Sequence, residues 1–339
     1  MTDQRRRYVF FVELDYSFEI LRPLQAAARA RGHEVAWFLN GLDPVLLAED
    51  ELHLVTVSEV QAFRPDAVFV PGNEVPLSFP GLKVQVFHGL GIEKKGHFRI
   101  RGMFDLFCTF GPSTTGPFQQ LAREHGWFNV RQTGWPKLDP LFTRAQEVPG
   151  DVRRTILYAP TFSPSLTSAP LLAMQIKGLV ERHDWRWVVK FHPKMEERFA
   201  APIRAISASN FSITDDARLL PLLGSADVML TDTSSAAAEF MLAGKPVVTF
   251  RNRSPGPHLI NLEQPEELDD ALAMALQGRD PAREAREEYA RQMHPYRDGR
   301  SSERVLDATE EMLQEGRAGL KRKPLSLLRR FKYWRELPR

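Results

Sequence analysis

The sequence predicts an α/β protein built from two doubly wound, Rossmann-like domains. Three observations predict it. Short apolar runs alternate with helix-like stretches along most of the chain. The apolar runs are continuous instead of alternating, as in parallel strands covered on both faces. At 339 residues the chain is also too long for one typical core.

The elements follow in order. RYVFFVEL (7–14) reads as a strand, and residues 18–31 as a helix that ends at Gly32. EVAWFLN (34–40), LHLVTV (52–57), DAVFVPG (66–72), KVQVFHG (83–89) and DLFCTFG (105–111) read as further strands. Pro112-Ser113-Thr114 opens a helix that runs to about His125. The polar stretch TRAQEVPGDVRR (143–154) reads as the linker. Beyond it, TILYAPTF (155–162), RWVVKFHP (186–193), FSITDD (211–216), ADVMLTDTSS (226–235) and PVVTF (246–250) are strands or strand ends. Helices are expected near 169–182, around Leu219–Leu223, and over AAAEFMLAGK (236–245). The expected domains are 1–145, 146–305 and a C-terminal helix and tail over 306–339.

Composition narrows the class. Hydrophobic residues make up 43%, which is globular, and the formal net charge is +2. Cys108 is the single cysteine, so an intrachain disulfide and a cysteine metal cage are both excluded. It sits in DLFCTF and reads as core. Glu13 and Asp15 interrupt the first apolar run, which excludes a signal-peptide core. No segment approaches the roughly 18 to 20 apolar residues a membrane span needs. The charge is uneven, however: residues 320–339 hold eight basic residues and one acidic residue, Glu336.

Chemistry-bearing side chains gather where strands stop. In open parallel sheets, ligands bind beyond the carboxyl ends of the strands, and two such domains place a site in the cleft between them. His88 and Gly89 follow VQVF, Thr161 follows ILYAP, and His192 follows WVVKF. Thr231, Asp232, Thr233, Ser234 and Ser235 follow DVML and lead into a helix. One hydroxyl suffices to cap that helix; four around an aspartate point to an anion such as phosphate. A strand-end histidine often bonds a backbone carbonyl, but it also moves protons near neutral pH or donates to a phosphate oxygen. The sequence lacks H-E-x-x-H, C-x-x-C, a P-loop, a dinucleotide G-x-G-x-x-G and a G-x-S-x-G elbow.

Taken in order, the blocks VFHGLGIEKKG (86–96), TGWPKLDPLF (133–142), ILYAPTFS (156–163), VVKFHPK (188–194), DVMLTDTSSAAAEFMLAGKPVVTF (227–250) and YRDGRSSERV (296–305) resemble the CDP-glycerol glycerophosphotransferase family of teichoic-acid primases and polymerases. The chain departs from the family pattern at Thr233, where an aromatic is usual, and at Leu90, where threonine is usual. The resemblance implies a GT-B type fold and CDP-glycerol or another CDP-alditol as donor. No cofactor is expected, no site residue is assigned to a metal, and the use of a divalent ion stays open. The implied acceptor is a hydroxyl of a lipid-linked saccharide or polyol-phosphate chain. Acceptor hydroxyl attacks the phosphorus that carries the glycerol, and CMP leaves. His88 is expected as general base, and His192 as donor to the diphosphate. Ser234, Ser235 and Thr233 would hold phosphate oxygens, with Gly89, Thr161 and Lys190 lining the donor and acceptor sites. Lys94, Lys95 and Arg300 would add positive charge. Asp232 and Glu239 would reach ribose or glycerol hydroxyls, or Asp232 fixes its loop.

The tail reads either as a basic, aromatic-bearing segment on an anionic membrane or as a final helix packed on the domains. The first reading puts the enzyme on the cytoplasmic face of the cell membrane, in cell-envelope or capsule polymer synthesis, and nucleic acid is not an expected partner. Two other readings compete: a GT-B glycosyltransferase or nucleotide-sugar epimerase using a UDP- or CMP-sugar, and a non-catalytic binding module of the same fold.

Overall fold

Runs such as Val9-Phe10-Phe11-Val12 are buried along their whole length. A strand that is apolar on both pleated faces needs cover on both, and intervening helices supply it. The structure is a computed structural model that describes residues 5–90, 96–143, 153–214, 219–324 and 337–338. The chain divides into two units, Met1–Thr143 with Gln292–Arg339, and Arg144–Arg291.

The first unit holds the strands β1 (Arg7–Val12), β2 (Glu34–Leu39), β3 (Leu52–His53), β4 (Ala67–Val70), β5 (Leu82–Gln85), β6 (Leu106–Thr109) and β7 (Asn129–Gln132). They form one sheet in the order β3-β2-β1-β4-β5-β6-β7. Every described pairing in it is parallel. The helices are α1 (Ser17–Ala30), α2 (Val57–Phe63), α3 (Pro112–His125) and the short α4 (Asp139–Thr143). The strand expected over 52–57 is only two residues long. Thr56 accepts the Glu59 N–H at 3.1 Å, and the Glu59 carboxylate accepts the N–H groups of Thr56 and Val55. That capping box starts α2 where the apolar pattern suggested more strand. Cys108 is buried in β6, and burial pushes its thiol up, as its core reading requires.

The second unit repeats the plan with β8 (Thr155–Tyr158), β9 (Arg186–Lys190), β10 (Phe211–Thr214), β11 (Val228–Thr231), β12 (Val247–Phe250) and β13 (Ile260–Leu262). The order is β10-β9-β8-β11-β12-β13, again parallel throughout the described pairs. Its helices are α5 (Ala169–Arg182), α6 (Glu197–Arg204), α7 (Leu220–Ser225), α8 (Ala236–Leu242), α9 (Leu268–Leu276) and α10 (Arg283–Met293). Leu172, Ile176, Trp187, Val189, Leu230 and Leu272 are among the residues of one buried core here.

After α10 the chain returns to the first unit as α11 (Ser301–Glu315). The second domain therefore ends near 291, and not at 305 as the sequence reading had it. Buried Asp139 is the reason. Its carboxylate accepts the N–H groups of Ser301 at 2.8 Å and Ser302 at 2.7 Å. These donors open α11, whose own preceding residue supplies no side-chain cap. Gly299, at φ +66°, admits the approach: a Cβ there would lie 2.2 Å from Thr143. The blocks TGWPKLDP and DGRSSER are thus halves of one clasp.

Arg317 and Lys323 continue along the first unit and pair with Asp105, the latter at 2.6 Å. Leu337 is buried, and the Pro338 carbonyl accepts the Val57 N–H at 2.9 Å. The tail residues 325–336 and 339 lie outside the described residues. Among the described residues no helix is long and apolar enough to cross a membrane.

His294 sits inside the clasp, 2% exposed, where its Nε2 accepts the Trp135 N–H at 2.9 Å. Burial pushes its pKa down to about 4, with Arg304 adding to the fall and Asp298 opposing it. Between that value and the ordinary value of about 6.5, the unfolded chain binds the extra proton. Stability of about 3 kcal/mol is therefore present above pH 6.5 and is lost as pH falls toward 4. Denaturation midpoints measured from pH 7 to pH 4 should show this slope, and His294→Gln should flatten it.

Candidate active site

In the first unit β5 runs beside β4, with Val70 opposite Gln85. The residues just beyond these strand ends are therefore neighbours: Pro71 on one side, Phe87 and His88 on the other. His88 is exposed, and its Nδ1 lies 3.2 Å from the Pro71 carbonyl oxygen. A carbonyl only accepts, so Nδ1 carries a proton, and in the neutral imidazole it is Nε2 that keeps the bare lone pair. Tyr16 lies with its ring 6.1 Å from the imidazole. A Cβ at Gly89 would meet nothing within 4 Å, so packing does not demand that glycine.

Further polar residues surround the Pro71-Gly72-Asn73 turn. The Gln85 amide donates to the Gly72 carbonyl at 3.1 Å and to Asn73 Oδ1 at 3.3 Å. Asn40 donates to Glu13 Oε1 at 3.1 Å. Sequence reasoning passed over Tyr16, Glu13, Asn40 and Asn73. The signal was available, because each lies within a few residues of a strand's carboxyl end.

In the second unit Asp232 follows β11 and is completely buried. Its carboxylate accepts the Thr161 N–H at 2.9 Å, the Ser168 N–H at 3.0 Å and the Ser168 hydroxyl at 2.9 Å. Burial raises its pKa above the ordinary carboxylate range, and those hydrogen bonds pull in the opposite direction. Asp232 therefore fixes the loop after β8. Both carboxylate oxygens accept hydrogen bonds there.

Around it, Thr233 Oγ1 accepts the Arg253 N–H at 3.0 Å, and the Asn252 amide donates to the Asp232 carbonyl at 3.1 Å. Ser234 Oγ accepts the Ala236 N–H at 3.3 Å, and Ser235 is exposed. Glu239 lies in the first turn of α8. Arg253 is exposed beside this hydroxyl loop and was missed; a basic residue three positions past β12 was the clue.

His192 follows β9 and is exposed. Its Nδ1 accepts the Lys194 N–H at 3.1 Å, so Nε2 carries the proton. Its ring stacks on Phe162, 4.3 Å between centroids. Desolvation, then Lys194 and Lys190, hold its pKa below the ordinary value, which keeps the imidazole neutral near pH 7. Lys190 ends β9 opposite Thr214. The Phe162 ring, 37% exposed, offers an apolar face in the same loop cluster.

Arg300 pairs with Glu303 at the start of α11, within the clasp. Lys94 and Lys95 lie outside the described residues. Among the described residues no group of three His, Cys, Asp or Glu side chains is placed to hold a metal ion.

Residues 113–255, which carry the second unit's sheet as far as β12, match the sequence model of a family described as CDP-Glycerol:Poly(glycerophosphate) glycerophosphotransferase. By this match the chain is a transferase enzyme. The blocks at 86–96 and 296–305 lie outside the matched residues. No curated protein matches the chain. Among solved structures it is similar to the wall teichoic acid polymerase TagF at TM-score 0.64 and 15% identity, covering 91% of this chain and 89% of that one. It is also similar to a Listeria monocytogenes protein assigned as a UDP-N-acetylglucosamine 2-epimerase, at TM-score 0.65 and 17% identity, covering 92% and 98%. A further UDP-N-acetylglucosamine 2-epimerase gives TM-score 0.63 at 15% identity, covering 95% and 100%. At these identities the likeness shows the fold, the two-sheet GT-B architecture.

Asp232→Ala should leave the half-buried Thr161 N–H and the buried Ser168 N–H unpaired and destabilise the chain by about 3 kcal/mol in denaturant titrations. A raised donor KM with unchanged stability would instead make Asp232 a substrate contact.

Proposed function

We propose that the chain transfers a glycerophosphate unit, or a related alditol phosphate, from CDP-glycerol or another CDP-alditol to an acceptor hydroxyl, releasing CMP. The observation that carries this reading is the pair of opposite tautomers. His88 presents a bare Nε2, which suits a general base toward the acceptor hydroxyl. His192 presents a neutral Nε2–H, which suits a donor to the diphosphate and the leaving CMP. Phosphoryl transfer asks for positioning and charge stabilisation more than covalent chemistry, and these groups supply it.

The family match supports the donor class. TagF has been solved as a histidine-to-asparagine variant with CDPG and as a second, histidine-to-alanine variant. The two histidines replaced there stand the same number of residues apart as His88 and His192 do here. In this reading Ser234, Ser235 and Arg253 hold phosphate oxygens, with Lys94 and Lys95 adding charge. The acceptor is a lipid-linked saccharide or polyol-phosphate chain, and the enzyme works peripherally on the inner face of the cell membrane in envelope or capsule polymer synthesis.

The deciding assay offers CDP-glycerol, CDP-ribitol, CMP-sugars and UDP-sugars with lipid-linked saccharide acceptors. CMP release from a CDP-alditol is expected, with His88→Ala and His192→Ala each lowering kcat by about 10²- to 10⁴-fold. UDP release from a sugar donor would select the glycosyltransferase reading, and no turnover with any donor the binding-module reading. For the membrane, flotation with anionic vesicles should fall when Arg329, Arg330 and Lys332 are changed to Glu. Unchanged flotation would remove the tail from the membrane reading.

A further inference from the structure

Phe87, directly before His88, holds φ at +57° and is 4% exposed. A bulky residue rarely adopts this left-handed region, and one that does is held there by its surroundings. Here two things hold it. Its ring packs against Phe110 and Phe118, with centroids 5.3 and 5.2 Å away. Its carbonyl oxygen accepts the indole Nε1–H of Trp135 at 3.3 Å. Trp135 is completely buried and is fixed in turn, because its own N–H donates to His294.

We propose that Trp135 is a positioning residue for His88. The indole N–H orients the peptide plane between Phe87 and His88. Were that plane to rotate so that Phe87 relaxed to an ordinary φ and ψ, His88 would leave the Pro71 carbonyl. That carbonyl is the partner that places the imidazole proton on Nδ1 and leaves Nε2 bare. The block TGWPKLDP thereby acquires a second task. It anchors α11 through Asp139 and sets the tautomer of His88 through Trp135. The catalytic consequence rests on the transfer reaction proposed above; the control of the tautomer does not.

Two variants test this on the full chain. Trp135→Phe removes the N–H donor and trims the ring. Replacing the Trp135 indole by a benzothiophene, through genetically encoded benzothienylalanine, removes the N–H and keeps the shape. Imidazole ¹⁵N NMR, with His88 assigned against His88→Gln, reads the tautomer directly. The wild type should show Nδ1–H and a bare Nε2, and both variants a mixture of tautomers. Turnover of CDP-glycerol should show kcat lowered about 10- to 100-fold, with the donor KM within about twofold. If the benzothiophene variant keeps both the His88 signals and kcat of the wild type, the proposal is overturned. A lower kcat with an unchanged tautomer overturns it too, because the loss would then not pass through His88. A shifted tautomer in a protein that turns over no CDP-alditol upholds the positioning role and removes the transfer reaction.

Discussion

A carboxylate taken out of water must be met by hydrogen-bond donors, and that constraint organises both units. Asp139 and Asp232 are 5% and 0% exposed, and among the described residues neither has a cation as its hydrogen-bond partner. Backbone N–H groups answer them instead, as helix starts and turns have such donors to offer. Asp139 meets the opening of α11 and so returns the chain to the unit in which it began. Asp232 meets the loop after β8 and so sets the shape of the carboxyl end of its sheet. Both aspartates belong to blocks that read as functional, and both act first as architecture.

The parallel sheets explain where the reactive groups can be. In a parallel pair all strands end on the same side, so residues that follow neighbouring strands are neighbours in space even when the sequence separates them. Pro71 meets His88 for this reason, and Phe162 meets His192 for the same reason. The partner then decides the chemistry. A carbonyl beside Nδ1 makes His88 a proton acceptor at its far nitrogen, and a backbone N–H beside Nδ1 makes His192 a donor there. Two histidines that look alike in sequence are chemically opposite in place.

The tail shows the same competition between local pattern and tertiary partner. Lys323 belongs to the basic stretch that suggested a membrane surface, yet its ammonium pairs with Asp105 and donates to the Met103 carbonyl. Arg317, just upstream, shares that carboxylate. These charges sit at the amino end of β6, away from the strand ends that carry His88. A count of basic residues cannot separate cations that neutralise an internal carboxylate from cations offered to solvent.

Much was legible because it depends on local chemistry. Continuous apolar runs marked most strands, since burial on both faces admits few polar residues. The ordered blocks marked His88, His192 and the Thr-Asp-Thr-Ser-Ser loop, since residues past strand ends are the ones free to meet a ligand. The sequence by itself determined the α/β class, the parallel sheets and the set of candidate groups. Only the tertiary structure decided that residues 292–339 return to the first unit, that Asp232 holds a loop, that Arg300 pairs with Glu303, and which nitrogen of each histidine carries the proton. The physical reason is common to all four. Each depends on a partner distant in sequence or on the orientation of one backbone dipole, and neither leaves a trace in periodicity or composition.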